Sequence, residues 1–309
     1  MVRVDRARGL LLGLLLGDAV REAEPRDGAW LLPSPASQLA CFTVEGMIRA
    51  HVRGAQKGIC SPPHMVWFAY QRWAYGQGLI PKRTAVLQNR PWPDGWLHQQ
   101  LPLTLRRGDA PATVAALQAD RMGTRQNPVS VSAGHHALSN ALPVALFWPN
   151  TDIERLAQEV AAITHGAPAA QGAAGVGALL LAAALRAGTV AEAATMYTPP
   201  PSGPAGTAGH ALAHGLQVAR AHPNAPDFVA ALRQARAVGG RSAATFTGAF
   251  LGAVHGVVAL PQDLLGRLEL GMIADQLARD AVLELEQVPV GGELSFNQDE
   301  WWWHRYPGY

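Results

Sequence analysis

Cysteine is nearly missing from this chain: Cys41 and Cys60 are the only two in 309 residues. Two thiols cannot build the disulfide framework that replaces a core in small secreted domains. Cys41 falls inside an apolar helical pattern, where a buried, inert thiol is expected. A dominant sign of charge is missing as well. Lys and Arg number 25 against 23 Asp and Glu, and no basic run occurs, so there is no field to hold a nucleic-acid backbone. Long apolar runs are also absent. The leucine-rich stretch 10–16 follows Arg3, Arg6 and Arg8 as a secretory leader would, but Asp18 closes it and no small-x-small cleavage site follows. It is too short to cross a bilayer, and a buried first helix is expected instead. The Ala- and Gly-rich stretch 172–187 falls short in the same way. A cytoplasmic location, with neither membrane nor nucleic-acid partner, is the expectation.

Strand signals are scarce: alternating β-branched runs are missing, and Ala and Leu abound. Ser61-Pro62-Pro63 opens a helix, since proline is tolerated in a first turn. Thr151-Asp152 caps another that runs through Thr164, and Thr189 starts one after Gly188 stops its predecessor. The prolines of residues 199–204 force a loop. Residues 226–237 read as a helix that Gly239-Gly240 ends, and residues 246–258 as a further one. Gly248, Gly252 and Gly256 recur every fourth residue, a stripe that lets a neighbouring helix approach closely. Residues 76–111 mix short helices with loops. The chain is long enough for a large core, no composition shift marks a linker, and one all-α domain over residues 1–309 is expected.

No Gly-x-Ser-x-Gly, P-loop, strand-borne Gly-x-Gly-x-x-Gly or paired-cysteine zinc module is present. Other segments are more telling. Ser34-Pro35-Ala36-Ser37-Gln38 leads into an apolar helix, and Gly239-Gly240-Arg241-Ser242-Ala243-Ala244-Thr245 leads into another. Ser132-Ala133-Gly134-His135-His136 precedes Ser139-Asn140 and Pro143, and Thr164-His165-Gly166-Ala167-Pro168 forms a turn. With the first helix, Leu260-Pro261 and the closing Trp303-His304-Arg305-Tyr306-Pro307-Gly308, their order and spacing resemble the ADP-ribosylglycohydrolase family, the group that includes the dinitrogenase reductase-activating glycohydrolases. The resemblance spans nearly the whole chain and implies a multi-helix orthogonal bundle of that type.

In that family the first motif reads roughly Thr-Asp-Asp-Thr-Gln and the second Gly-Gly-Asp-x-Asp-Thr, and their aspartates hold two divalent metals. Here Pro35 and Ala36 stand in the first pair's place, Arg241 and Ala243 in the second's. A hard divalent cation needs several oxygen ligands, with carboxylates supplying the charge. Ser34, Ser37, Ser242 and Thr245 are weak neutral ligands, and Arg241 would repel the ion. The expectation is therefore no metal ligand and no Mg²⁺ or Mn²⁺ cofactor.

The resemblance places a ligand cleft at Ser34, Ser37, Gly134, His135, His136, Asn140, Gly240, Arg241, Ser242 and Thr245. His135 and His136 fall in the loop where the family cradles the diphosphate of ADP-ribose; they could bind a ligand phosphate, do acid–base work or bind a transition metal, against a reading as one exposed and one hydrogen-bonded histidine. Arg241 either pairs a ligand phosphate or carboxylate or forms an internal ion pair with Asp18, Glu22 or Glu24. His210 and His214, at i and i+4, make half a zinc site for which His222 or His135 would have to supply a third ligand. His165 reads as a structural hydrogen-bonder. The tail Trp301 to Tyr306 is either a recognition surface or a segment docked by its tryptophans. Three functions stay open. The chain is a metal-free pseudoenzyme that binds an ADP-ribose-like molecule or an ADP-ribosylated protein, a metal-independent enzyme with new chemistry in the cleft, or a non-catalytic interaction module.

Overall fold

The computed structural model describes residues 4–21, 28–79, 92–147, 152–199, 201–287 and 300–308. Among them the regular structure is helical throughout. The longer helices are α1 (Val4–Ala19), α2 (Pro35–Lys57) and α3 (Pro62–Gly76), then the short α4 (Leu101–Thr104), α5 (Pro111–Gln118) and α6 (His136–Ala141). They are followed by α7 (Ile153–Ala162), α8 (Pro168–Ala184), α9 (Val190–Thr195), α10 (Ala208–Ala221), α11 (Phe228–His255), α12 (Gln262–Leu265), α13 (Gly271–Gln287) and α14 (Glu300–Arg305). Two isolated bridges, Leu31 with Leu268 and Gly134 with Thr207, are the only β-type pairings among the described residues.

The start signals act as their chemistry demands. Ser34 caps α2 by accepting the Ala36 N–H, with Pro35 in the first turn, and Gly58 closes the helix at φ 69°. Asp152 caps α7 through the Arg155 N–H, and Thr189 caps α9 through the Glu192 N–H. Gly240 breaks α11 at φ 77°, and helical geometry resumes at once. The second half thus starts at Arg241, ahead of the expected residue 246. Nothing from Arg241 to Thr245 opposes a helix; only the left-handed Gly240 does.

The leucines of α1 are buried on all sides, as in a helix that forms the centre of a core. Its partner is α11. A Cβ on Gly9 would lie 2.1 Å from the Gly252 carbonyl oxygen, one on Gly13 2.2 Å from that of Gly248, and one on Gly17 2.1 Å from that of Ala244. The pairs run in opposite directions along the two helices, so the packing is antiparallel and nearly backbone to backbone. The glycine stripe of the sequence is therefore one half of a seam, and α1 carries the other half. No described helix is long and apolar enough to cross a membrane.

Two polar clusters are buried away from the cleft. Glu45 of α2 bridges Arg49 at 3.0 Å and Arg72 of α3 at 3.3 Å, and Asp94 reaches the same two arginines at 3.0 and 3.3 Å. At the tail, the Trp302 indole donates to Glu284 at 2.8 Å and the Tyr306 hydroxyl to Asp280 at 2.5 Å. Arg305 pairs with Asp280 and stacks 3.8 Å over Trp96. Trp302 is buried while Trp301 and Trp303 are about half exposed, so the tail is docked through the middle tryptophan.

Candidate functional site

Asp18 lies one residue beyond the glycine seam, at the end of α1, and is buried. Its carboxylate accepts from the Ser34 N–H at 2.6 Å, the Ser34 hydroxyl at 2.8 Å and the Ser37 hydroxyl at 2.7 Å. The Nε of Arg241, first residue after the Gly240 break, stands 3.7 Å from the same carboxylate. One aspartate thus joins the start of α2 to the second half of α11. The two motif segments, far apart in sequence, meet at it. Of the acids weighed as partners for Arg241, Asp18 is in place; Glu22 and Glu24 lie outside the described residues. The Arg241 side chain is 43% exposed and makes no hydrogen bond to another described side chain.

On the other wall, the loop before α6 pairs with the loop before α10. The His135 N–H donates to Gly206 at 3.1 Å and the Ala208 N–H to Ala133 at 3.1 Å. This fixes His135 at the head of α6, where its Nδ1 lies 2.6 Å from the Ser242 hydroxyl. The Ser139 hydroxyl, one turn further, donates to Ser242 at 3.2 Å. His136 stands edge-on to His135 with ring centroids 4.6 Å apart. The His165 Nδ1 is held by the Thr164 hydroxyl at 2.8 Å.

Between these walls opens a cleft of about 560 Å³, of the size that holds a small-molecule ligand. Ser34, Gly134, His135, His136 and Arg241 line it, as does His165. Ser37 and Ser242 do not; they sit behind it, each bonded to a group at its edge. Thr245 is buried and its hydroxyl donates to the Arg241 carbonyl. Asn140 is fully buried, and both polar atoms of its side chain are without a hydrogen-bond partner. Gly240 supplies the backbone turn that aims Arg241. The remaining wall comes from Arg107 to Ala112, a segment the sequence left among loops and short helices. Arg107 is tied to Glu269, Nε to Oε2 at 2.9 Å, and Asp109 lies at the surface. The charge-dense run Arg106-Arg107-Gly108-Asp109, directly before Pro111 of α5, was the available signal in a chain with only 16% charged residues.

The histidines are set up as neutral groups. Burial lowers the pKa of His136 to about 4, helped by neighbouring His135 and opposed by Asp18. Burial and the two other histidines lower that of His165 to about 3. His135 is also lowered, by burial and then by Arg241, with Asp18 opposing. A histidine whose folded pKa is depressed stabilises the fold above its unfolded value. That stability falls as pH drops from about 6.5 toward the folded pKa, because the unfolded chain takes the proton first. We expect urea midpoints to fall between pH 7 and pH 4, and to fall less in His136→Gln/His165→Gln. Equal slopes in the two proteins would show that other groups carry the acid sensitivity.

The donor set does not suit a pair of hard divalent metals. Among the described residues one carboxylate lines the cleft, Asp109, and a second, Asp18, is buried beside the lining residues Ser34 and Arg241. Asp18 already accepts three hydrogen bonds and faces a guanidinium, and Asp109 is exposed with Arg106 3.5 Å away. Pro35, Ala36 and Ala243 contribute no side-chain oxygen. His210 and His214 stack with centroids 4.3 Å apart, but no set of three or more His, Cys, Asp or Glu side chains is grouped for a metal among the described residues.

A search of curated proteins gives no match. Among solved structures, one described as an ADP-ribosylglycohydrolase-related protein complex is similar over 92% of this chain and 99% of its own, with 22% identity and a TM-score of 0.61. That likeness concerns the fold. The family model for ADP-ribosylglycohydrolase matches residues 1–290, and over that length the order of motifs is the one that converges on Asp18: the chain belongs to the ADP-ribosylglycohydrolase family.

Proposed function

We propose that this protein is a member of the family that works without a divalent metal, has given up metal-assisted hydrolysis of ADP-ribosyl bonds, and keeps its cleft for an ADP-ribose-like ligand, free or attached to a protein. The observation that carries this reading is the state of Asp18. Its oxygens are occupied by Ser34 and Ser37, and the neighbouring cation is the Arg241 guanidinium. Where a metal would supply Lewis-acid chemistry, this chain supplies a fixed positive side chain that can hold an anion but cannot activate water. The start of α2 at Ser34 and Pro35 also borders the cleft, and a helix N-terminus favours an anion over a cation. Two free thiols fit a reducing, cytoplasmic setting.

Isothermal titration with ADP-ribose in excess chelator tests this directly. Binding should be saturable, unchanged by added Mg²⁺, and lost in Arg241→Ala. That variant should still fold, because Asp18 keeps its three hydrogen bonds to Ser34 and Ser37. No release of ADP-ribose from a modified protein should be seen with or without Mg²⁺, and Arg241→Asp alone should not restore it, since Pro35, Ala36 and Ala243 still lack carboxylates. Mg²⁺-dependent release would sink the proposal. Release in chelator that disappears in His135→Ala would replace it with metal-free catalysis, a reading favoured by the short His135–Ser242 contact but opposed by the burial of Ser242 (3% exposed).

A further inference from the structure

We infer that Ser139 and Ser242 form a positioning relay that locks His135 with its proton on Nε2, so that His135 and Arg241 together make a donor-only seat for a phosphate group. The seat deepens the ligand cleft proposed above and rests on that reading. Its logic is hydrogen-bond accounting. A serine hydroxyl has one proton to give. Ser139 gives its proton to Ser242, which leaves the Ser242 proton free. The 2.6 Å between Ser242 Oγ and His135 Nδ1 is ordinary for a hydroxyl donor but short for a ring N–H donor, so Ser242 donates to the ring. An imidazole nitrogen that accepts is unprotonated, which puts the ring proton on the other nitrogen. Nδ1 is held from behind by a buried serine, and His135 itself lines the cleft. Nε2–H is then the ring's free edge, with no hydrogen bond to another described residue.

Arg241 precedes Ser242 in the chain, so the relay and the guanidinium are set by the same first turn after Gly240. The guanidinium spends Nε on the side of Asp18, and its terminal nitrogens are left without a described partner. The two side chains therefore offer N–H groups and no acceptor. A sugar hydroxyl, which must donate as well as accept, gains little from such a pair. A phosphate, with several charged acceptor oxygens, gains from every one. Ser242 is too buried to touch the ligand; it acts only by fixing the ring.

Two measurements on the whole protein test the inference. Nitrogen-15 spectra of labelled histidine at neutral pH should show His135 as the Nε2–H tautomer, and as a mixture in Ser242→Ala and in Ser139→Ala. Titration in chelator with inorganic phosphate, ADP and adenosine should show binding of the first two and not the third. Phosphate binding should weaken about tenfold in Ser242→Ala, the loss of one hydrogen bond to a charged group, and disappear in Arg241→Met. An Nδ1–H tautomer in the wild type overturns the relay, and needs no variant to fold. Phosphate affinity unchanged in Ser242→Ala, or binding of ADP-ribose without binding of phosphate or ADP, overturns the seat while leaving the cleft's function standing. Absence of ADP-ribose binding with the Nε2–H tautomer intact overturns the function and leaves the relay.

Discussion

Gly13→Val should remove a large share of the fold's stability. The first atom of any side chain at Gly13 would sit 2.2 Å from the Gly248 carbonyl oxygen, and one at Gly248 would sit 2.1 Å from that of Gly13. Both obstacles are main chain, so no rotamer can relieve them. The helices would have to separate, and the contacts at Gly9 with Gly252 and Gly17 with Ala244 would open with them. Overpacking a core costs about 1–3 kcal/mol even where side chains can adjust. Here they cannot, and the cost should be on the order of 3 kcal/mol or more, a large share of a typical 5–15 kcal/mol. Gly54→Ala is the matching control. Nothing lies within 4 Å of a Cβ there, it sits in the last turn of α2, and replacing a helical glycine should add up to about 1 kcal/mol. Urea unfolding followed by far-ultraviolet circular dichroism would decide. A Gly13→Val midpoint close to the wild-type value would show that the seam is looser than its geometry.

Glu45→Ala is the second large effect. Glu45 is fully buried between Arg49 and Arg72, whose side chains are 1% and 4% exposed. Removing it leaves two buried guanidinium groups with one shared carboxylate, Asp94. Stranding a buried charge costs about 3–5 kcal/mol. The partner experiment is Glu45→Leu with Arg72→Met, which removes one acid and one base and leaves Arg49 paired to Asp94 at 3.0 Å. That double variant should recover most of the loss, since well-packed apolar replacement of a buried pair is often neutral. If Glu45→Ala loses less than about 1 kcal/mol, the range of an exposed pair, the cluster contributes no more than a surface one.

Helices were legible in the sequence because their signals are local. Proline in a first turn, Asp152 and Thr189 as caps, and Gly240 as a break each act on the few residues beside them. The family frame was legible because motif order survives the loss of the acids. What stayed hidden depends on which way a side chain faces or on distant partners. Asn140 belongs to the same short helix as His136 yet turns into the core. The wall from Arg107 to Ala112 comes from a segment without a regular pattern. The sequence showed Gly248, Gly252 and Gly256 but not that Gly9, Gly13 and Gly17 mirror them, although the four-residue spacing is the same in both. The choice for Arg241 between ligand and internal acid resolved into a division of the group: its Nε side faces Asp18 and its end is open to the cleft.

That mirrored spacing leaves a choice open along the seam. Slide α1 by one helical turn, about 6 Å, and Gly9 would oppose Gly256, Gly13 would oppose Gly252, and Gly17 would oppose Gly248. Every facing pair would then be glycine on glycine, where the native register sets Gly17 against Ala244. The stripe is therefore a track with equal notches, and it cannot by itself say which notch is home. The stop is at the end of the track, where Asp18 faces Arg241 of α11 and the carbonyls of Asp18 and Val20 accept from Arg236 of the same helix. The contacts that shape the mouth of the cleft are thus also the ones that index the two central helices. An injury at Asp18 would be felt through the whole core as a slipped alignment, far beyond the loss of one carboxylate.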